Sequence, residues 1–216
     1  MPISLVGSEM CIRDRDWGPD GRLYGPRWFN GEVISVDVET GESRTEASGF
    51  NVPAAVKFDS MGRLHILDTG SGDVIRREGD GKQTVIATLS TGLDNFAFDD
   101  ADNLFVSSYA DGFISKVTSS GVEEILPGGI SHPGALVIHN DTVVIADIQS
   151  VRAIDAATGE DIWTLRNIFQ FAPIGTATAV SNHGPDLLLT SWLDNSVKVL
   201  NPVSYTHLRA HETDRH

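Results

Sequence analysis

Cysteine is almost missing from this 216-residue chain, and the single one present is Cys11. With Cys11 set aside for the reason given below, disulfides, thiolate catalysis and cysteine-ligated zinc are excluded. Positive charge is also short: 16 Lys and Arg stand against 30 Asp and Glu, a net charge of −14. So acidic a domain repels phosphate backbones, and no nucleic acid is expected among its partners. No apolar run reaches the roughly 20 residues of a spanning helix, so no membrane span is expected. Helical periodicity is scarce as well; only Thr164 to Phe171 could make a turn or two. The composition suits the periplasm, the extracellular space and the cytoplasm alike, so it leaves the compartment unknown.

The two ends read differently from the rest. Leu5-Val-Gly-Ser-Glu-Met-Cys-Ile-Arg-Asp14 and Val203-Ser-Tyr-Thr-His-Leu-Arg-Ala-His-Glu212 look unrelated as protein. Back-translated, they fit one DNA segment and its reverse complement in a shifted frame, which resembles a sequencing adapter translated at each edge. Residues 1–15 and 202–216 are therefore expected to be non-native segments, excluded from fold reasoning. They hold Cys11, His207, His211 and His216, with four basic and four acidic residues, so the charge of −14 belongs to 16–201.

Within 16–201 a short segment returns five times at a spacing of about forty residues. Its versions are Gly18-Pro-Asp-Gly-Arg-Leu-Tyr24, Asp59-Ser-Met-Gly-Arg-Leu-His65, Asp99-Asp-Ala-Asp-Asn-Leu-Phe105, His139-Asn-Asp-Thr-Val-Val144 and Ser181-Asn-His-Gly-Pro-Asp-Leu187. Short β-branched runs such as Val33-Ile-Ser-Val-Asp-Val38 and Val143-Val-Ile-Ala alternate with Asp-Gly and Asn-Gly turns. Strands at this spacing, repeated at this period, predict an all-β fold: a β-propeller of four-stranded antiparallel blades. About five blades are expected of six, cut at both ends. The first blade should lack its innermost strand and the last its outermost, leaving a raw edge at each end.

In such a fold the loops before each innermost strand and after each second strand gather at one mouth. After the second strands stand Arg27, Asp68, Ser108, Asp147 and Ser191, followed by Trp28, Thr69, Tyr109, Ile148 and Trp192. At the heads of the innermost strands stand Ala54, Asp94, Gly134 and Thr176. Asp94, with Asn95, Asp68 and Asp147, offers hard oxygen ligands for a cation. Asp68 and Asp147 have a second reading, as strand-closing residues that accept hydrogen bonds from turn N–H groups. Arg27, Trp28, Tyr109 and Trp192 would shape a pocket for a sugar or lactone ring, unless the tryptophans only cover gaps between blades. Among His65, His132, His139 and His183, only His132 lies near this mouth, where it is either a candidate general base or simply a loop residue. No pair has zinc spacing, and no serine sits in a nucleophile elbow.

Phe58-Asp-x-x-Gly-Arg-Leu-x-x-Leu-Asp68-x-Gly-x-Gly-Asp-Val-Ile-Arg, echoed by Phe98-Asp-x-x-x-Asn-Leu-Phe-Val, resembles the six-bladed propellers of the SMP-30/gluconolactonase/LRE-like, TolB-like and NHL-repeat groups. The resemblance implies a calcium- or zinc-dependent hydrolase of lactones or related small esters, with ligands at the strand heads. Of the visible heads only Asp94 matches; Ala54, Gly134 and Thr176 do not. The alternative is a non-catalytic NHL-type propeller that binds a protein or carbohydrate partner. A second stretch, Ala153-Ile-Asp-Ala-Ala-Thr-Gly-Glu-Asp-Ile-Trp163, is similar to the repeat of pyrroloquinoline-quinone dehydrogenases. Asp-x-x-Thr-Gly is equally what a tight turn between outer strands requires, and that reading is preferred.

Overall fold

The computed structural model describes residues 14–147, 150–166, 177–191 and 196–203. They form nineteen strands in five antiparallel sheets, each built in chain order. The first sheet holds β1 (Asp16–Trp17), β2 (Leu23–Arg27), β3 (Glu32–Val36) and β4 (Ser43–Ser48). The second holds β5 (Pro53–Phe58), β6 (Leu64–Asp68), β7 (Asp73–Arg77) and β8 (Gln83–Thr88). The third holds β9 (Leu93–Phe98), β10 (Leu104–Ser108), β11 (Ile114–Thr118) and β12 (Gly121–Leu126). The fourth holds β13 (Pro133–His139), β14 (Thr142–Asp147), β15 (Ser150–Asp155) and β16 (Asp161–Arg166). The fifth shows three strands among the described residues, β17 (Ala177–His183), β18 (Asp186–Ser191) and β19 (Ser196–Leu200).

The repeat read from the sequence is therefore the repeat of the structure, with three corrections. The first sheet does have an innermost strand: Asp16 and Trp17 pair with Tyr24 and Leu23. It is only two residues long, too short for a sequence pattern to reveal. Thr164–Arg166, read as the start of a helical turn, belongs to strand β16 instead; residues 167–171 lie outside the described residues. The third correction concerns the strand heads. In four sheets the ladder between the first two strands skips one residue near its start, at Ala54, Asp94, Gly134 and Thr178. The fifth-sheet counterpart of Asp94 is thus Thr178, two residues beyond Thr176, which itself lies outside the described residues.

The local chemistry of the turns explains the repeat. Asp59 accepts hydrogen bonds from the backbone N–H of Met61 (3.0 Å) and Arg63 (2.9 Å), and Asp99 accepts them from Ala101 (3.0 Å) and Asn103 (2.8 Å). An Asx turn of this kind ends one strand and starts the next within four residues. The Asp-x-x-Thr-Gly stretch is a turn too. Asp155 accepts from the N–H of Thr158 (2.8 Å) and Ala157 (2.9 Å), and those bonds hold its carboxyl below the usual range. Trp163 packs half-buried on the apolar cluster around Leu165 and Leu187.

The chain divides into two compact units at Thr91/Gly92. In the first, Tyr24, Val33 and Phe50 pack against Val56, Leu64 and Ile66. In the second, two clusters lie between successive sheets, one around Phe105, Ile114 and Ile145, the other around Val151, Leu187 and Leu189. Asp14, in the stretch expected to be non-native, forms an ion pair with Lys57 and a bridge to Ala55.

Candidate functional site

In the second unit, Tyr109 and His132 come together. Their rings lie 4.8 Å apart with planes tilted by 54°, and both side chains are exposed. Each is carried by a loop the backbone fixes closely. The Tyr109 loop is pinned by Ala110 N–H to Gly92 O (3.2 Å), Gly112 N–H to Ser108 O (2.9 Å) and Asp111 N–H to Ser108 Oγ (3.0 Å). Gly112 sits at φ 72°, and a Cβ there would lie 2.2 Å from the carbonyl oxygen of Ile130. Only glycine allows the Tyr109 loop to press so closely on the chain leading to His132.

Asp147 acts on the same loop from beneath. Buried at the end of β14, it accepts the N–H of Ser131 at 3.2 Å, one residue before His132. Asp68 does the equivalent in the first unit, accepting the N–H groups of Asn51 (2.7 Å), Val52 (2.8 Å) and Gly70 (3.1 Å). Both carboxylates therefore serve as staples between the strand end and the loop entering the innermost strand; the turn reading expected donors from the following turn, and only Gly70 N–H on Asp68 is of that kind. Ser108 stands in their place in the third sheet and caps Asp111.

Asn95 is buried and folded back on its own strand, where its Oδ1 accepts the N–H of Phe96 at 2.7 Å. Its backbone N–H meets Ser107 Oγ at 3.2 Å. Asp94, the neighbouring bulge residue, is half-buried. A bulge re-aims the side chain it adds, and of the four bulge residues Asp94 alone carries a carboxylate. Among the described residues, no three His, Cys, Asp or Glu side chains gather as a metal site.

In the first unit, Arg27 closes β2 and forms an ion pair with Glu32 at 3.3 Å. Trp28 opens a one-turn 3-10 segment, Trp28–Asn30, half-buried, with its ring 5.4 Å from that of Phe29. Phe29 is 73% exposed. The sequence reading did not single it out, although an exposed aromatic beside Trp28 was legible. Trp192 lies outside the described residues. His139 and His65 serve structure: His139 Nδ1 lies 3.0 Å from Asn182 Oδ1, and His65 is buried with Nδ1 3.0 Å from the carbonyl of Arg63.

No protein-family model matches the sequence, and no curated protein matches it either. Solved structures do resemble it. A nidogen/laminin complex aligns at a TM-score of 0.75 and 16% identity, covering 89% of this chain and 76% of that one. Virginiamycin B lyase from Staphylococcus aureus aligns at 0.68 and 16% identity, covering 86% and 68%. A catalytically inactive histidine-to-alanine variant of that lyase with quinupristin aligns at 0.70 and 15%, covering 88% and 69%. At these identities the likeness shows the fold, a β-propeller of antiparallel blades. Among the described residues, no helix is long and apolar enough to cross a membrane.

Proposed function

We propose that the chain is a binding propeller that presents a rigid loop surface to a protein or carbohydrate partner, with Tyr109 and His132 at its centre. One observation carries this reading: two exposed rings from different loops meet at 4.8 Å, on backbone fixed by Gly112 and Asp147. Such a patch offers an apolar ring face and adjustable hydrogen bonding without an ordering cost on binding. The neighbour in complex with laminin supports a protein partner. Saturation-transfer NMR with mono- and disaccharides tests the carbohydrate arm, and Tyr109→Ala should abolish any transfer. The protein arm requires a captured partner whose binding is lost in both Tyr109→Ala and His132→Ala. A partner whose binding survives both substitutions would overturn the reading.

A second reading has its own support. His132 is exposed beside Tyr109, and a lyase whose histidine variant is inactive shares the fold. On that reading the chain is an SMP-30/gluconolactonase-like hydrolase of lactones, with His132 as general base and Asp94 as a ligand for calcium or zinc. Against it, Asp68, Asp147 and Asn95 already accept backbone hydrogen bonds. Too few oxygens then remain for a hard cation. Calorimetric titration with calcium and zinc separates the readings. Heat lost in Asp94→Ala, together with lactone turnover lost in His132→Ala, would establish the hydrolase.

A further inference from the structure

Tyr109 and His132 lie in the more acidic part of the chain. Residues 92–201 hold 14 Asp and Glu against four Lys and Arg, whereas residues 16–91 hold 12 against eight. The register shows where these charges stand. Three carboxylates lie at the end of the third and fourth sheets that carries the two rings: Asp94 at the bulge, Asp111 two residues beyond Tyr109, and buried Asp147 opposite Pro133. Of the four basic residues only Arg166 reaches this end, opposite Ser150 on the outermost strand. Ser150 in turn pairs with Asp147, so two ladder steps, about 10 Å, separate Arg166 from that carboxylate. The others stand elsewhere. Lys116 lies 4.0 Å from Asp99, Arg152 pairs with Asp161, and Lys198 is opposite Leu189 in the fifth sheet. A field of this sign draws cations toward the two exposed rings and repels anions.

The same unit already uses the complementary contact once. Lys116 Nζ sits 5.0 Å from the centre of the Phe105 ring, with the Asp99 carboxylate at 4.0 Å and the Ala156 carbonyl at 3.5 Å. That is a cation on an aromatic face beside a carboxylate. Tyr109 presents the same combination outward: its ring is 46% exposed, and Asp111 is exposed two residues along the loop. A neutral polar ligand finds less to hold. Ser108 Oγ and Asp147 are committed to the backbone of the two loops, so few directed groups remain to fix the hydroxyls of a sugar.

Resting on the binding reading above, we infer that the Tyr109–His132 surface receives a basic protein segment, which sets an arginine or lysine side chain on the Tyr109 ring. A guanidinium suits the site better than an ammonium, because its flat face stacks on the ring while its N–H groups remain free for a carboxylate. The ring selects the cation, and the surrounding carboxylates draw it in. Affinity therefore falls with salt, and association is electrostatically steered.

NMR of the aromatic resonances of the whole chain, titrated with a capped peptide of alternating glycine and arginine, tests the inference. The same peptide with citrulline in place of arginine is the uncharged control. The Tyr109 and His132 ring signals should move with the arginine peptide and stay still with the citrulline one. Affinity should fall severalfold between about 0.05 and 0.5 M salt. Tyr109→Ala should weaken binding about two- to fivefold with no change of charge, and Tyr109→Phe should restore it. Asp111→Asn, which removes one charge at about 10 Å in water, should weaken it about twofold. Backbone shifts confirm that each variant is folded. Citrulline binding as well as arginine, or arginine binding undiminished in Tyr109→Ala, would overturn the inference. Glucose or mannose moving the rings where arginine does not would overturn it and leave the binding reading standing. Rings unmoved by every probe would overturn it too; the binding reading then stands or falls on whether a captured partner needs Tyr109 and His132.

Discussion

Replacing Asp68 by alanine separates a staple from a metal ligand. The carboxylate is buried, and both of its oxygens are engaged: Oδ2 by Asn51 N–H at 2.7 Å, Oδ1 by Val52 N–H at 2.8 Å and Gly70 N–H at 3.1 Å. Alanine removes both acceptor oxygens and with them all three bonds. A hydrogen bond to a charged group is worth about 1.5–3 kcal/mol, and a buried donor left alone costs about as much. Asn51 and Gly70 are exposed and Val52 half-buried, so water replaces part of what is lost. A net destabilisation of about 3 kcal/mol is expected after that discount. Asp68→Asn keeps one acceptor and sets an NH2 group against a backbone donor, for a loss of about 2 kcal/mol. Asp147→Ala, with its longer 3.2 Å bond to Ser131, should lose about 1–2 kcal/mol. Urea unfolding followed by tryptophan fluorescence gives the stabilities. Hydrogen exchange gives the location, with protection falling at Asn51 and Val52 ahead of β5. A metal-ligand role would give the opposite signature, because deleting one carboxylate from an unfilled cation site relieves repulsion. Asp68→Ala within about 0.5 kcal/mol of wild type, with exchange unchanged at Asn51 and Val52, would refute the staple.

Gly112→Ala should destabilise the chain by at least 1–2 kcal/mol, roughly the strain of a β-carbon in a left-handed conformation, because that carbon would meet the Ile130 carbonyl; the measurable mark is exchange at Ile130 and Ser131. Tyr24 should ionise well above the ordinary value of 10.0 in a spectrophotometric titration read against Tyr24→Phe, since burial and then the charge of Glu46 push its hydroxyl up to about 12. His65 makes stability fall on acidification. Burial holds its imidazole below the ordinary value of 6.5, so the unfolded chain takes up the proton first and gains over the folded one as pH drops below 6.5. In the pH window from about 7 to 5, His65→Gln should flatten that decline in urea midpoints; an unchanged slope would count against it.

How legible the fold was depended on how far apart in the sequence its causes lie. The Asp59 and Asp99 turns draw every hydrogen bond from within four residues, so their spacing showed them directly. Gly31, Gly72 and Gly112 recur for a similarly local reason, a left-handed turn ahead of each third strand. The Asp68 staple reaches back sixteen and seventeen residues to Val52 and Asn51, into a loop whose closeness no periodicity records. Asp68 therefore kept two readings until its partners were seen. The same blindness shifted the fifth strand head: loops into the innermost strands differ in length, and a bulge leaves no compositional trace. Spacing alone points to Thr176, whereas the ladder puts the bulge at Thr178; with the same residue type at both positions, composition could not separate them. Tyr109 and His132 were each legible as mouth residues, but their contact depends on two loops held together by backbone.

The bulge gives a last test that needs no ligand. The same ladder irregularity is built around Ala54, Gly134 and Thr178, so a methyl group, a single hydrogen or a neutral β-branched side chain suffices to form it. Asp94 is consequently a carboxylate at a position where the bulge itself does not require one. Asp94→Ala should keep the strand register between Leu93 and Ser108 and change stability by no more than about 1 kcal/mol, in contrast to Asp68→Ala. Backbone chemical shifts along β9 and β10 report the register, and urea midpoints the stability. If both hold, any ligand affinity lost in Asp94→Ala belongs to the side chain itself. If the substitution collapses the β9–β10 ladder, Asp94 is structural after all, and no carboxylate among the metal candidates remains for function.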